Sequence, residues 1–232
     1  MLLDKLRFLH QLRIILASGS PRRKEILETI KLKFEVIPST FPENLDKSKY
    51  TPIQYVIENA RLKALDVYKG EVSKWKLSSD KKAKIDLVIG CDTVVVFRDQ
   101  ILEKPKTQKE AKQMLSQLSG STHYVTSGVA LIRPNDDSLE HPIVETFSQQ
   151  TQVVFAPLTT QLIDAYVETM EPMDKAGGYG MQGIASQFVT KIDGCYFNVV
   201  GFPVQLFCEK LTTFLNLDDN VSDKEKEQKE NI

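Results

Sequence analysis

The residues with the clearest chemical promise come in separated groups. Ser18-Gly19-Ser20-Pro21-Arg22-Arg23 follows a short apolar run and has the start signals of a helix, with Ser20 as cap and Pro21 in the first turn. A helix start aims free backbone N–H groups at one spot. Ser18 and Ser20 add hydroxyls, and Arg22 and Arg23 add planar cations that match phosphate oxygens. An ordinary capped helix carrying two solvated arginines accounts for the same residues equally well. The stretch is not a P-loop, because the Gly-Lys-Ser/Thr ending is missing. Asp92 and Thr93 interrupt the most apolar stretch of the chain, residues 86–97. A carboxylate buried there needs a partner. A structural salt bridge is the plain explanation; a carboxylate that holds a metal or activates water is the one we favour.

Further cations and one amide complete the set. Lys104 precedes Pro105, which stiffens the backbone beside it. Lys63 falls about 60° from Ala60 on a helical wheel, at the rim of an apolar face, as a cleft-facing cation would, although for any single lysine a snorkelling surface position is the plainer account. Residues 175–183 form a glycine-rich loop presenting Asp174, Lys175 and Gln182, a composition suited to ligand contact. Its Gly178-Tyr179-Gly180-Met181-Gln182-Gly183 spells GxGxxG but follows a polar loop and leads toward a strand, the reverse of the dinucleotide fingerprint. A phosphate cradle, separated cations and carboxylates, without a nucleophilic Ser or Cys motif, point to metal-assisted hydrolysis of a phosphoanhydride.

The elements that must position these groups read as interleaved helices and strands. Strands are expected at 13–17, 33–37, 86–97, 122–133, 143–155 and around 184–192. Helices are expected from Pro21 to about Ile30, from Pro52 to about Tyr68, after a Thr107–Glu110 capping box, over 159–169, and from Pro203. That alternation predicts an α/β class with a mixed sheet. Residues 1–12 read as an extension and 13–216 as the domain. Residues 70–84, polar, Lys-rich and carrying the single Trp75, read as an exposed insertion, and the charged segment 217–232 as a disordered tail.

Composition closes off other classes. The 232 residues are 41% hydrophobic and 26% charged, which suits a folded core rather than disorder. A net charge of -1 gives no reason to expect a nucleic-acid partner. Cys91, Cys195 and Cys208 lie among apolar residues and read as buried small hydrophobes; His123 reads as a locally satisfied histidine. No disulfide framework or zinc spacing is present, no apolar run approaches a membrane span, and charges break the first residues before an apolar leader can form. A reducing, cytoplasmic setting is expected. Asn220-Val221-Ser222 is a chance glycosylation sequon.

Taken in order, ILASGSPRRKEIL (15–27), IGCDTVVV (89–96), LEKP (102–105), LSGSTHYV (118–125), MDKAGGYGMQG (173–183) and VVGFP (199–203) resemble the Maf family of nucleoside triphosphate pyrophosphatases, over nearly the whole chain. The resemblance implies a mixed sheet bent around a deep nucleotide cleft (ITPase-like), and often a homodimer. It implies hydrolysis of a nucleoside triphosphate to monophosphate and pyrophosphate with a divalent cation, Mg²⁺ or Mn²⁺. By the same resemblance Asp92 is the proton acceptor, Glu43 falls where the family keeps an acidic residue, and Lys63 and Lys104 match the family's two lysines; Asp92 and Glu43 are expected to hold the metal. Arg22, Thr93 and Gln182 match the positions linked to substrate choice in the dTTP/UTP branch, where the 7-methyl-GTP branch carries Trp, Gln and Glu. Pro42 departs from the acidic residue common beside Glu43. The competing readings are the 7-methyl-GTP branch and a non-catalytic nucleotide-binding regulator, separable by assaying turnover across a nucleotide panel.

Overall fold

The longest apolar runs build a seven-stranded mixed sheet. In chain order its strands are β1 (Ile14–Leu16), β2 (Glu35–Val36), β3 (Leu87–Phe97), β4 (Gln100–Leu102), β5 (Thr122–Arg133), β6 (Ile143–Phe155) and β7 (Val189–Asp193). The helices are α1 (Leu6–Leu9), α2 (Pro21–Thr29), α3 (Pro52–Leu77), α4 (Gln108–Leu118), α5 (Thr160–Glu168), α6 (Tyr196–Val200) and α7 (Val204–Phe214). The structure is a computed structural model and describes residues 1–78 and 84–217. Spatial order in the sheet is β2-β1-β3-β5-β6-β7, with β4 attached to β3. β1 runs parallel to β2 and β3, and every other pairing is antiparallel.

β3 and β5 run through the molecule, and their alternating side chains serve opposite faces. On one face Ile89, Cys91, Val129 and Leu131 pack with α2, α7 and the N-terminal Leu2 and Leu9, so the first dozen residues contribute two side chains to the core. On the other face Val88, Ala130 and Ile132 meet Ala60, Ala64 and Val67 of α3. Toward the far ends of the same strands a separate core forms from Val95, Val125, Val153 and Phe155 with α4 and α5.

α3 is fixed at its start by a full capping box, with Thr51 Oγ1 accepting from Gln54 N and Gln54 Oε1 accepting from Thr51 N. It then lies on the sheet with nothing between the two backbones. A Cβ on Gly90 would fall 2.2 Å from the Ala60 carbonyl oxygen, and one on Gly128 would fall 2.4 Å from that of Val56. Gly128 pairs with Asp92 across the β3–β5 ladder, so the point of closest approach lies beside the aspartate.

Several local expectations need correction. α3 does not stop near Tyr68 but runs to Leu77, so 70–77 is helix rather than loop. The Lys-rich composition conceals two inward positions: Val72 is buried, and Glu71, only 4% exposed, accepts from Arg13 Nη2 (2.8 Å) and Lys74 Nζ (2.5 Å). The rest of that expected insertion, 79–83, and the tail from 218 lie outside the described residues, while Leu217 packs into the core. Residues 184–188 form a 3-10 turn, leaving the strand to begin at Val189. Ala185 and Phe188, three apart, both face inward, which a 3-10 turn permits and a strand does not. Thr107 caps α4, but Glu110 turns its carboxylate to the Lys106 N–H, so the box is only half made. The short α1 and α6 carry too few residues for a helical period to be read.

Candidate active site

A break in the sheet creates the site. One edge of β3 is paired to β5 along its length. The opposite edge is paired to β1 only as far as Ile89, and to β4 only from Val95 onward. Residues 90–94 therefore have no strand on that edge among the described residues. The carboxyl end of β1 leads into Ser18 and Ser20 on one side of the break, and the carboxyl end of β4 leads into Glu103 and Lys104 on the other. A cleft of about 630 Å³ opens there, within the range that small-molecule sites occupy. Asp92 and Thr93 point to opposite faces of the strand, yet both reach the cleft because the break exposes the strand's edge. Every candidate residue from the sequence (Ser18, Ser20, Arg22, Arg23, Glu43, Lys63, Asp92, Thr93, Lys104 and Gln182) lines this one cleft.

At its centre is a carboxylate–ammonium–carboxylate group. Lys63 Nζ lies 2.8 Å from Asp92 Oδ1 and 2.8 Å from Glu43 Oε2. Lys63 is 8% and Asp92 6% exposed, whereas the Glu43 side chain, on the loop before α3, is 54% exposed. Lys63 does not snorkel. The close seat of α3 on Gly90 and Gly128 brings its stem down onto β3, so the rim position becomes an inward one. The salt bridge expected as the plain account of Asp92 exists, and it stands in the cleft wall.

The Ser-Arg segment builds the adjoining wall. Ser20 caps α2 by accepting from Arg23 N. The Arg23 guanidinium donates to the Gly201 carbonyl (3.1 Å), Ser18 Oγ (2.9 Å) and Thr93 Oγ1 (3.1 Å). It thus frames the cleft, with two of its five N–H groups not used in these bonds. Thr93 Oγ1 also meets Ser127 Oγ (2.8 Å). Arg22 reaches across the cleft mouth, donating to Asp174 Oδ2 (3.1 Å) and its carbonyl (3.3 Å). Partial burial pushes the Asp174 pKa up, but hydrogen bonds from Lys175 and Arg22 outweigh it and hold the group below the usual carboxylate range.

The glycine-rich loop forms the far wall. Gly177 (φ 68) and Gly178 (φ 72) need left-handed backbone. Gln182 is exposed, and no hydrogen bond of its amide is found among the described residues. Val95, Val125, Tyr179 and Val199, which pack in one apolar cluster, line the cleft here. Buried His123 meets the Tyr179 hydroxyl through Nε2 at 2.7 Å, and burial pulls its pKa down to about 4, so it stands neutral; its Nδ1 is buried with no partner among the described residues, so the expected local satisfaction is only half met. Cys91 is buried; Cys195 and Cys208 are only half-buried, so the expectation of burial holds fully for the first alone.

No cluster of three His, Cys, Asp or Glu side chains converges as a metal cage among the described residues. Asp92 and Glu43 each offer oxygen donors around the Lys63 ammonium. Mg²⁺ is commonly held by one or two carboxylates plus substrate phosphates. This donor set fits a divalent cation that arrives with a polyphosphate. The sequence reading missed Glu103; it singled out Asp174 and Lys175 as suited to ligand contact, without a role for either, and both line the cleft. Glu103 sits beside Lys104 in the LEKP block, which was the available signal.

Residues 13–214 match the protein family described as Maf-like protein. A probable bifunctional dTTP/UTP pyrophosphatase/methyltransferase protein from Homo sapiens is 45% identical over 208 residues; the match takes in 88% of this chain but 32% of that protein. A dTTP/UTP pyrophosphatase from Clostridium perfringens is 42% identical over 203 residues, 88% of this chain and 97% of that one. Among solved structures, a nucleoside-triphosphatase / dITP/XTP pyrophosphatase from Mycobacterium abscessus aligns over 86% of this chain and 93% of its own at 10% identity and a TM-score of 0.40.

Proposed function

The chain belongs to the Maf family, and from that premise we propose that it is a dTTP/UTP pyrophosphatase, converting these triphosphates to monophosphate and pyrophosphate. The observation that carries this reading is the convergence in one cleft of a Ser-Arg cradle, two lysines from different elements and the Asp92–Lys63–Glu43 group. A polyanion requires that distribution of positive charge, and attack on phosphorus requires the central carboxylate.

Asp92 orients water and takes its proton as the water attacks the α-phosphorus in line, and pyrophosphate leaves. Lys63 fixes the Asp92 carboxylate and contributes positive charge beside it. The backbone N–H groups after Ser18, with Arg23 and Lys104, receive the charge that builds on the leaving group. Mg²⁺ or Mn²⁺, held by Asp92 and Glu43, would screen the triphosphate and polarise the phosphorus. Arg22, Thr93 and Gln182 set substrate choice. The Gln182 amide offers one donor and one acceptor, which complements the N3–H and O4 edge shared by uracil and thymine. The apolar cluster beside Gln182 takes the ring. The setting this reading implies is removal of unwanted or modified pyrimidine nucleotides in the cytoplasm by a homodimer. No helix among the described residues is long and apolar enough to cross a membrane.

The test is product analysis by ion-exchange chromatography after incubation with UTP, dTTP, CTP, GTP and 7-methyl-GTP. Monophosphate and pyrophosphate in equal amounts, with UTP and dTTP preferred, are expected. Diphosphate plus phosphate, or a preference for either guanine nucleotide, would overturn the reading.

A further inference from the structure

Glu103 is a cleft carboxylate that the mechanism above leaves unused. Its side chain is 38% exposed and both of its oxygens are taken. Oε1 accepts from the Tyr55 hydroxyl at 2.6 Å, and Oε2 accepts from Lys47 Nζ at 2.5 Å. Its backbone carbonyl accepts from Gly177 N at 3.1 Å. These three bonds reach three separate segments of the cleft. Tyr55 is buried on α3, two turns before Lys63. Lys47 lies four residues after Glu43 on the loop that carries it. Gly177 opens the loop that presents Gln182. The next residue after Glu103 is Lys104 itself.

The arrangement is built rather than incidental. Burial and the Glu103 charge both push the Tyr55 pKa well up, although the adjacent Asn59 amide opposes them, so the hydroxyl remains a committed donor. Gly177 cannot be another residue in this position, since a Cβ would fall 2.7 Å from the Val95 side chain. The Tyr55 bond joins a buried hydroxyl to a charged acceptor and holds geometry more firmly than a solvated one, whereas the Lys47 bond is exposed and adds less. Glu103 leads from β4 into the break in the sheet, where no strand ladder holds the backbone.

We infer that Glu103 is a positioning residue for the hydrolysis. It replaces the missing ladder by tying the Glu43 loop, α3 and the glycine loop to the segment that bears Lys104. The inference rests on the pyrophosphatase reading for its kinetic consequence but not for the anchoring itself. Tyr55 and Lys47 do not line the cleft, which allows positioning to be separated from direct contact with substrate.

The experiment compares Tyr55→Phe, Glu103→Gln and the double variant with wild type. It measures kcat and KM for UTP, and backbone hydrogen exchange over 43–51, 103–106 and 175–183. Tyr55→Phe removes one anchor while leaving the cleft lining intact. A misplacement of catalytic groups by about 1 Å can cost a hundredfold in rate. Each single variant is expected to lose about tenfold to a hundredfold in kcat with KM changed less than about threefold. The double variant should lose little more than the worse single one, because both act through the same bond. Exchange should quicken in all three segments while circular dichroism stays unchanged. Tyr55→Phe at wild-type kcat beside a defective Glu103→Gln would overturn positioning and make Glu103 a direct contact. Unchanged exchange in Tyr55→Phe would overturn it as well. A wild type inert toward UTP and dTTP would sink the pyrophosphatase reading alone, and exchange would still decide the anchoring.

Discussion

Replacing Asp92 by Asn separates what this carboxylate does for folding from what it does for turnover. The amide keeps the shape and can still offer its carbonyl oxygen to Lys63, but the opposing charge is gone. Lys63 is then left 8% exposed with Glu43 as its remaining charged partner, 2.8 Å away. Stranding one member of a buried pair costs about 3–5 kcal/mol when nothing else compensates it. Glu43 stays in place and is half exposed to the solvent of the cleft, so about 2–3 kcal/mol is expected here. Turnover should fall by about a hundredfold or more, the scale for losing a general base. Adding Lys63→Met removes the stranded ammonium and retains an unbranched side chain of similar length. Because a buried ion pair can often be exchanged for apolar groups at little cost, the double variant should recover most of the lost stability. It should recover none of the turnover. Urea unfolding followed by circular dichroism gives the first quantity, and pyrophosphate release from UTP gives the second. If turnover returned together with stability, Asp92 would be only the structural partner of Lys63 and the chemistry would lie elsewhere.

Three further outcomes follow from other parts of the molecule. Gly128→Ala places a methyl group 2.4 Å from the Val56 carbonyl, and backbone cannot yield as a side chain does. Unfolding experiments should show a loss of at least about 1–3 kcal/mol, and a stability within error of wild type would mean α3 is free to lift. Gln182→Glu removes the amide donor and sets a carboxylate against O4, so kcat/KM for UTP and dTTP should both fall by about 1–3 kcal/mol in transition-state terms; an unchanged profile across the nucleotide panel would remove Gln182 from base reading. The pKa of His123 is lowered from 6.5 to about 4 by burial. Its neutral form therefore contributes stability that is full above pH 6.5 and is lost as pH falls through 4, about 3 kcal/mol at most. The free energy of unfolding should drop across that window, and His123→Gln, which cannot titrate, should flatten the drop; a slope unaltered by the substitution would place the acid sensitivity elsewhere.

The sheet was legible where the local signal and the tertiary environment agree. β5 and β6 begin and end where expected because alternation, β-branched residues and flanking turns all point the same way. The second half of α3 was hidden because its inward Glu71 is satisfied by Arg13, a partner 58 residues away that no local window contains. The 3-10 turn at 184–188 was hidden for a related reason, since five mixed residues are too few for their pattern to distinguish strand from turn. At the site, residue types located the cleft but not its internal bonding. Arg23 reads as a free phosphate ligand in the sequence, yet three of its N–H groups hold Gly201, Ser18 and Thr93. Lys63 reads as a surface lysine until the glycines on β3 and β5 are seen to draw its helix inward. Neither fact is periodic, and each depends on which segments meet.

The direct seating of α3 on Gly90 and Gly128 bears on how freely this sequence could diverge. Elsewhere in a protein the spacing of helix and sheet is set by a layer of side chains, and altering that layer shifts the helix. Here backbone rests on backbone, so the span from Lys63 to Asp92 is gauged by peptide groups that every residue shares. Exchanges among Leu, Ile, Val and Phe in the surrounding apolar clusters can accumulate without altering that span. The two glycines are the exception, since no other residue leaves the gauge at zero. Drift in most of the core and intolerance at two positions are thus consequences of one contact.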